Sequence, residues 1–202
     1  MKIIPLLTAL VMLAGHAMAA EAAGPELDLR DGKVNGVYIG APRKEFTRNF
    51  SVGGEWIGTW IAFRNHGYFV QPAGRRNMAG FSMRPGSWPD RMCGFKEYKG
   101  RISFGISGAS TLESVIKDLR EKFSGNFVVT LEEERGVWNR RFVAYQLTGW
   151  KTDPPFYFDI FFNHEKKIEE IRIKSFPGAY YPGLLKDRAL GPHAIDKNLI
   201  AD

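Results

Sequence analysis

Between Thr111 and Lys174 the chain carries one helix-period segment followed at once by four strand-period segments, and that order limits the folds open to it. Leu112, Val115, Ile116, Leu119 and Phe123 recur at three- and four-residue spacing. On a helix they form one apolar stripe, which needs a second layer to cover it. Ser110 and Glu113 have capping-box spacing: the hydroxyl meets an orphan amide and the acid reaches back. Ser124-Gly125 stops the helix. The strand candidates are 127–133, 140–148, 156–162 and 168–174, separated by Gly136, Asp153-Pro154-Pro155 and Asn163-His164. Such an order predicts an α+β fold, with one or two antiparallel sheets and helices packed on one face.

The preceding stretch reads similarly. Residues 27–29 and 33–40 suggest a hairpin turning at Asp31-Gly32. Pro42 suits the first position of a short helix, on which Phe46 and Phe50 would face the core. Strands are expected over 55–63 and 68–71, around an Asn65-His66-Gly67 turn, and over 81–84. Residues 85–94 are irregular, broken by Pro85, Gly86, Pro89 and Gly94. Residues 101–106 alternate Ile102, Phe104 and Ile106 and read as a strand. With 22 Gly and 11 Pro, turns should be many and strand should exceed helix.

An echo runs along the chain. Lys33-Val34-x-x-Val37-x-Ile39, Arg101-Ile102-x-Phe104-x-Ile106 and Lys167-Ile168-x-x-Ile171-x-Ile173 place their last isoleucines 67 residues apart. Either two tandem helix-plus-four-strand repeats are present, or alternating strands simply resemble one another. The division expected is a leader over 1–19, an N-terminal segment over 20–32, halves over 33–107 and 108–176, and a tail over 177–202.

The leader follows from Lys2, a nearly unbroken apolar run over 3–14, and Ala17-Met18-Ala19 as a cleavage site. The run is shorter than the ~20 residues a membrane helix needs. These features predict a signal peptide, a periplasmic or secreted mature protein and no membrane span. Cys93 is the single cysteine, so no intramolecular disulfide can form and the core must supply stability. Whether that thiol is buried or reactive stays open. The formal net charge is +6, but the basic doublets Arg75-Arg76, Arg140-Arg141 and Lys166-Lys167 are interrupted by acidic runs. The expected export argues against nucleic acid, and the mild, scattered positive balance fits a weak attraction to acidic partners or an anionic envelope surface.

Strand, then Ile39-Gly40-Ala41-Pro42, then a helix with Glu45 and Phe46 resembles the opening of outer-membrane assembly lipoproteins of the SmpA/OmlA type. The tandem helix-plus-four-strand pattern resembles the β-lactamase-inhibitor-protein-like fold. The resemblance spans residues 33–176 as pattern, not as motif identity. No lipobox cysteine follows the apolar run, and Ala41-Pro42 stands where those assembly proteins usually carry Met and a small polar residue. The resemblance implies a sheet used for binding and no catalytic residues.

Catalytic constellations find little footing. His66 and His164 each follow an Asn in an expected turn, where Asn tolerates left-handed geometry. No His or Cys spacing matches a metal site, and none is expected. No G-x-S-x-G or glycine-rich phosphate loop occurs, so no cofactor is expected. Arg91 could activate Cys93 with a distant histidine, which keeps an envelope hydrolase among the alternatives. Glu132 to Glu134 read as an exposed turn. In 156–162, Phe156, Phe158, Ile160 and Phe162 share one face, while Tyr157, Asp159 and Phe161 share the other, expected to be half solvated.

What remains is aromatic supply, with 15 Phe, 7 Tyr and 5 Trp. Trp and Tyr dominate interface hot spots because they bury large area with few rotors. Trp56 and Trp60, four apart, would share a face of one strand. Trp88 and Trp150 sit beside Pro and Gly that should keep them out of regular packing, and Tyr180-Tyr181 add to the set. The expectation is a non-enzymatic module of inhibitor, immunity or envelope-assembly type that binds another envelope or secreted protein. A binder of small ligands or envelope components is the alternative.

Overall fold

In the computed structural model, the residues described are 24–42, 44–45, 54–58, 60–73, 77–83, 95–131 and 145–175. The expected strand over 33–40 is broken at Asn35-Gly36. Both residues take left-handed φ, 49° and 75°, the backbone of a tight two-residue hairpin. The segment therefore divides into β2 (Lys33–Val34) and β3 (Val37–Tyr38). With β1 (Leu27–Asp28) they form a three-stranded antiparallel meander in the order β1-β2-β3.

Eight further strands form one antiparallel sheet. They are β4 (Glu55–Ile57), β5 (Trp60–Phe63), β6 (Tyr68–Ala73), β7 (Asn77–Met83), β8 (Asn126–Leu131), β9 (Tyr145–Thr152), β10 (Pro155–Phe162) and β11 (Ile168–Ser175). Their order is β4-β5-β6-β7-β11-β10-β9-β8. Two four-strand meanders thus meet through their last strands, with Ser82 opposite Arg172 and Phe81 opposite Ile173. The fold is mostly β, with one described α-helix of full length, α1 (Leu112–Lys122).

The stripe Leu112, Val115, Ile116 and Leu119 is buried as its spacing requires. Phe123, just past α1, meets Phe158 of β10 edge-to-face at 5.3 Å between centroids. These residues belong to one apolar cluster with Phe81, Met83, Leu147, Ile160, Ile171 and Ile173 of the sheet and Leu27, Leu29 and Val34 of the meander.

Three further expectations are corrected. The helix cap is Thr111, not Ser110. Thr111 Oγ1 accepts from the Ser114 amide (3.4 Å), and Ser114 Oγ accepts from the Thr111 amide (3.0 Å). Ser110 Oγ instead accepts from the Ser107 amide, and Glu113 pairs with Lys166. Residues 101–106 are not a strand. Ile102 makes one bridge to Leu27, then Ser103–Gly105 form a 3-10 turn with Phe104 at φ 64°. Ile102, Phe104 and Ile106 are all buried, so the alternation reflected burial rather than extension. The three echo segments consequently adopt a hairpin, a 3-10 turn and a full strand. Finally, the expected strand over 55–63 turns back on itself at Gly58, whose φ is +61°. A β4–β5 hairpin replaces it. Strand does exceed helix, and no helix among the described residues is long and apolar enough to cross a membrane.

Candidate functional site

The face of the eight-stranded sheet turned away from the apolar cluster holds the polar chemistry. Register alone assembles it. Ala62 lies opposite Phe69, Phe69 opposite Ser82, Ser82 opposite Arg172, Arg172 opposite Asp159, Asp159 opposite Thr148, and Thr148 opposite Val128. Because side chains alternate along each strand, this row shares one face. Neighbouring rows add Trp60, Gln146, Trp150, Tyr157, Phe161, Glu170 and Lys174.

At the centre, Asp159 is 3% exposed. Its Oδ1 accepts from Gln146 Nε2 (2.7 Å) and Thr148 Oγ1 (2.6 Å), and both donors are buried too. A buried carboxylate is tolerable only with such donors and a nearby cation, here Arg172 on the adjacent strand. The half-solvated face expected around Asp159 is therefore corrected: Tyr157, Asp159 and Phe161 are all buried.

Beside this network, Arg172 and Glu170 form a fork. Arg172 Nε and Nη2 donate to the two Glu170 oxygens at 2.7 and 2.9 Å. Ser82 Oγ also donates to Glu170 Oε1. The Arg172 guanidinium stands 4.7 Å from the Phe161 ring centroid, within cation–π range. Burial would lower the Arg172 pKa. The Glu170 hydrogen bond and charge, with Asp159 and Tyr157, outweigh burial and hold it above the ordinary arginine value.

A groove of about 330 Å³ opens here, lined by Ile57, Trp60, Phe69, Ser82, Glu170 and Arg172. One end is apolar, with Trp60 edge-on to Phe69 at 6.2 Å. Phe69 rests on Phe95 at 4.3 Å, and Arg64 sits 5.9 Å from the Phe95 ring, extending the aromatic wall. The other end is the Glu170–Arg172 fork with the Ser82 hydroxyl.

Trp60 lines this groove, but Trp56 does not. The hairpin register sets Trp60 opposite Ile57 and Trp56 opposite Ile61, so the two tryptophans point to opposite faces. Trp56 is 56% exposed on the edge strand. Trp150 lies inside β9, opposite Tyr157 and Asn126, in regular pairing rather than in a turn. It is partly buried and on the polar face. Trp88, Cys93, Tyr180 and Tyr181 fall outside the described residues. His66 and His164 occupy turns as expected, but the left-handed residues there are Gly67 and Lys166. No group of three metal-ligating side chains occurs among the described residues.

Phe69, Ser82, Glu170, Arg172, Gln146 and Thr148 were not singled out from the sequence. A signal existed for two of them: Glu170 and Arg172 alternate with Ile171 and Ile173, which places them together on the non-core side of one strand. That they meet Ser82 and Phe69 depends on the β7–β11 seam, which joins segments 88 residues apart. No protein-family model, no curated protein and no solved structure matches the chain.

Proposed function

We propose that this chain is a non-enzymatic binding module, exported by its leader to the periplasm or the exterior, that engages another envelope or secreted protein. The contact surface is the groove at the β4–β7 and β11 end of the polar face, where Ile57 is exposed and Arg172 partly so, and not the buried centre around Asp159. The observation that carries this reading is the groove itself, with aromatic walls, a paired ionic floor and an open mouth. Its ionisable groups neutralise one another across a bidentate fork instead of leaving a base poised beside a nucleophile. Rigid aromatics around a desolvated polar centre are the usual make-up of an interface hot spot.

The two meanders meeting through β7 and β11 support a tandem duplication, each unit a helix followed by four strands with the helices on the core face. Lys44 and Glu45 are helical ahead of β4, as α1 is ahead of β8. This arrangement is in keeping with the β-lactamase-inhibitor-protein-like resemblance. Trp60 is the leading contact residue. Trp150, on the same face, and Trp88, Tyr180 and Tyr181 are further contact candidates, whereas Trp56, on the opposite face of the β4–β5 hairpin, is outside this surface. A small-ligand or envelope-component binder is the second reading, favoured by the groove volume, which is at the lower end of ligand pockets.

Immobilised residues 20–202, wild type and Trp60→Ala, exposed to envelope and secreted extracts, test the proposal. The wild type should retain one stoichiometric partner in about 1 M salt, where the screening length is about 3 Å. Trp60→Ala should lose it at unchanged circular dichroism. Retention of nothing by the wild type, or equal retention by both, refutes the reading.

A further inference from the structure

The chemistry of the occupant can be read from the donors of Arg172. A guanidinium carries five N–H groups. Nε and one Nη2 hydrogen go to Glu170. The remaining edge, Nη1 with the second Nη2 hydrogen, meets no acceptor among the described residues, and the side chain is 38% exposed. That edge presents two parallel N–H groups, the geometry that receives a planar carboxylate. Two carboxylates flank Arg172, but Glu170 is held by the fork and the Ser82 hydroxyl, and Asp159 is buried and held by Gln146 and Thr148, so neither is presented to an incoming cation. The opposite end of the groove, Ile57, Trp60 and Phe69, offers only apolar and aromatic surface. A formal net charge of +5 for residues 20–202, one less than the +6 of the full sequence because Lys2 leaves with the leader, adds long-range attraction for acidic partners.

We infer that the groove receives an acidic segment of the partner protein, with a large apolar side chain seated against Trp60 and Phe69 and a neighbouring carboxylate on the outer edge of Arg172. The inference rests on the protein-binding reading and adds the chemistry of the bound segment. Arg172 is then the specificity-determining residue and Trp60 the anchor. Glu170 acts as a positioning residue that holds the guanidinium plane.

The probe is 3-phenylpropionate, compared with its neutral amide and with 3-phenylpropylamine. Each is titrated into the ¹⁵N-labelled protein of residues 20–202 at low salt, following the Trp60 indole and Arg172 Nε–H signals. The expected result is saturable movement of both signals by the carboxylate, at least about tenfold tighter than by the amide or the amine. Trp60→Ala and Arg172→Gln should each remove that preference. The comparison of three probes on the wild type needs no variant, so it stands even if Arg172→Gln fails to fold.

Equal or tighter binding of the amine, or no saturation below roughly 20 mM, a binding energy near 2 kcal/mol, overturns the inference. If Trp60→Ala loses a captured partner while 3-phenylpropionate neither binds nor competes, the acidic-segment inference falls and the binding-module reading survives. If the carboxylate binds as expected but no protein is retained, the assignment of the occupant to a protein falls.

Discussion

Gly149 sits in β9 directly opposite Phe158 of β10 and Phe127 of β8. A Cβ at Gly149 would lie 2.2, 2.6 and 2.7 Å from three atoms of the Phe158 ring. Carbon atoms in contact prefer about 3.5–4.0 Å, so the ring or the strand must yield by roughly 1 Å. Phe158 has little room to retreat. Its side chain is fully buried and packs edge-on against Phe123. Overpacking of this kind costs about 1–3 kcal/mol, and an overlap this deep belongs at the upper end. Replacing Gly returns about 0.5–1 kcal/mol through the unfolded chain. Gly149→Ala should therefore destabilise by about 2 kcal/mol net. For a domain of this size that lowers the melting temperature by roughly 4–8 °C.

Urea unfolding followed by circular dichroism measures the change, and a double-mutant cycle with Phe158→Leu isolates its cause. Leucine removes the distal ring atoms that the new methyl meets. In that background Gly149→Ala should cost at least about 1 kcal/mol less than in the wild type, a coupling expected only of residues in contact. A neutral Gly149→Ala, or the same cost in both backgrounds, would show that β9 and β10 do not pack in this register.

Three other outcomes are expected. Thr111→Ala should cost about 1 kcal/mol through loss of the helix cap, and Ser110→Ala distinctly less, measured side by side in urea. Asp159→Ala should cost about 1–3 kcal/mol because it removes the buried acceptor that Gln146 and Thr148 share; Asp159→Asn, which keeps an acceptor oxygen, should cost less, and equal costs would remove the network from the account. Burial pushes the Tyr98 phenol above its ordinary value of 10.0, with Tyr68 and Glu26 adding, and its hydroxyl donates to the Pro25 carbonyl. A raised folded-state value gives stability fully present below pH 10 and lost as pH rises beyond it. Tyr98→Phe should accordingly cost about 1 kcal/mol at neutral pH, with the difference from wild type shrinking above pH 10; a constant difference up to pH 11.5 would refute the buried phenol.

The apolar side of this fold was legible because each of its elements carries its own period. Leu112 to Phe123 could be read as a buried stripe, and Phe156, Phe158, Ile160 and Phe162 as one buried face, without knowing what covered either. Turns were legible only where the turn residue competed with nothing. Gly58 stands inside a run whose aromatics favour extension, so local spacing hides the hairpin that sends Trp56 and Trp60 to opposite faces. Phe104 kept the alternation of a strand while taking a left-handed φ that its residue type disfavours.

The polar face was less legible for a different reason. Asp159 is tolerable in the sheet interior because Gln146 and Thr148 lie 13 and 11 residues before it and Arg172 stands on the next strand. The groove needs β4, β5, β6, β7 and β11 in one register. None of those neighbours follows from local spacing, since a one-residue slip at the β7–β11 seam would send Ser82 into the core and Phe81 onto the polar face. The seam is thus where stability and the proposed binding groove coincide: Phe81 and Ile173 hold it from below, and that pairing sets Ser82, Glu170 and Arg172 side by side above. A weakened seam should therefore disturb the groove before it unfolds either meander. Phe81→Ala should broaden the Arg172 Nε–H signal at denaturant concentrations where the β9–β10 amides remain protected from exchange. Simultaneous loss of both signals would show instead that the eight strands form one cooperative unit.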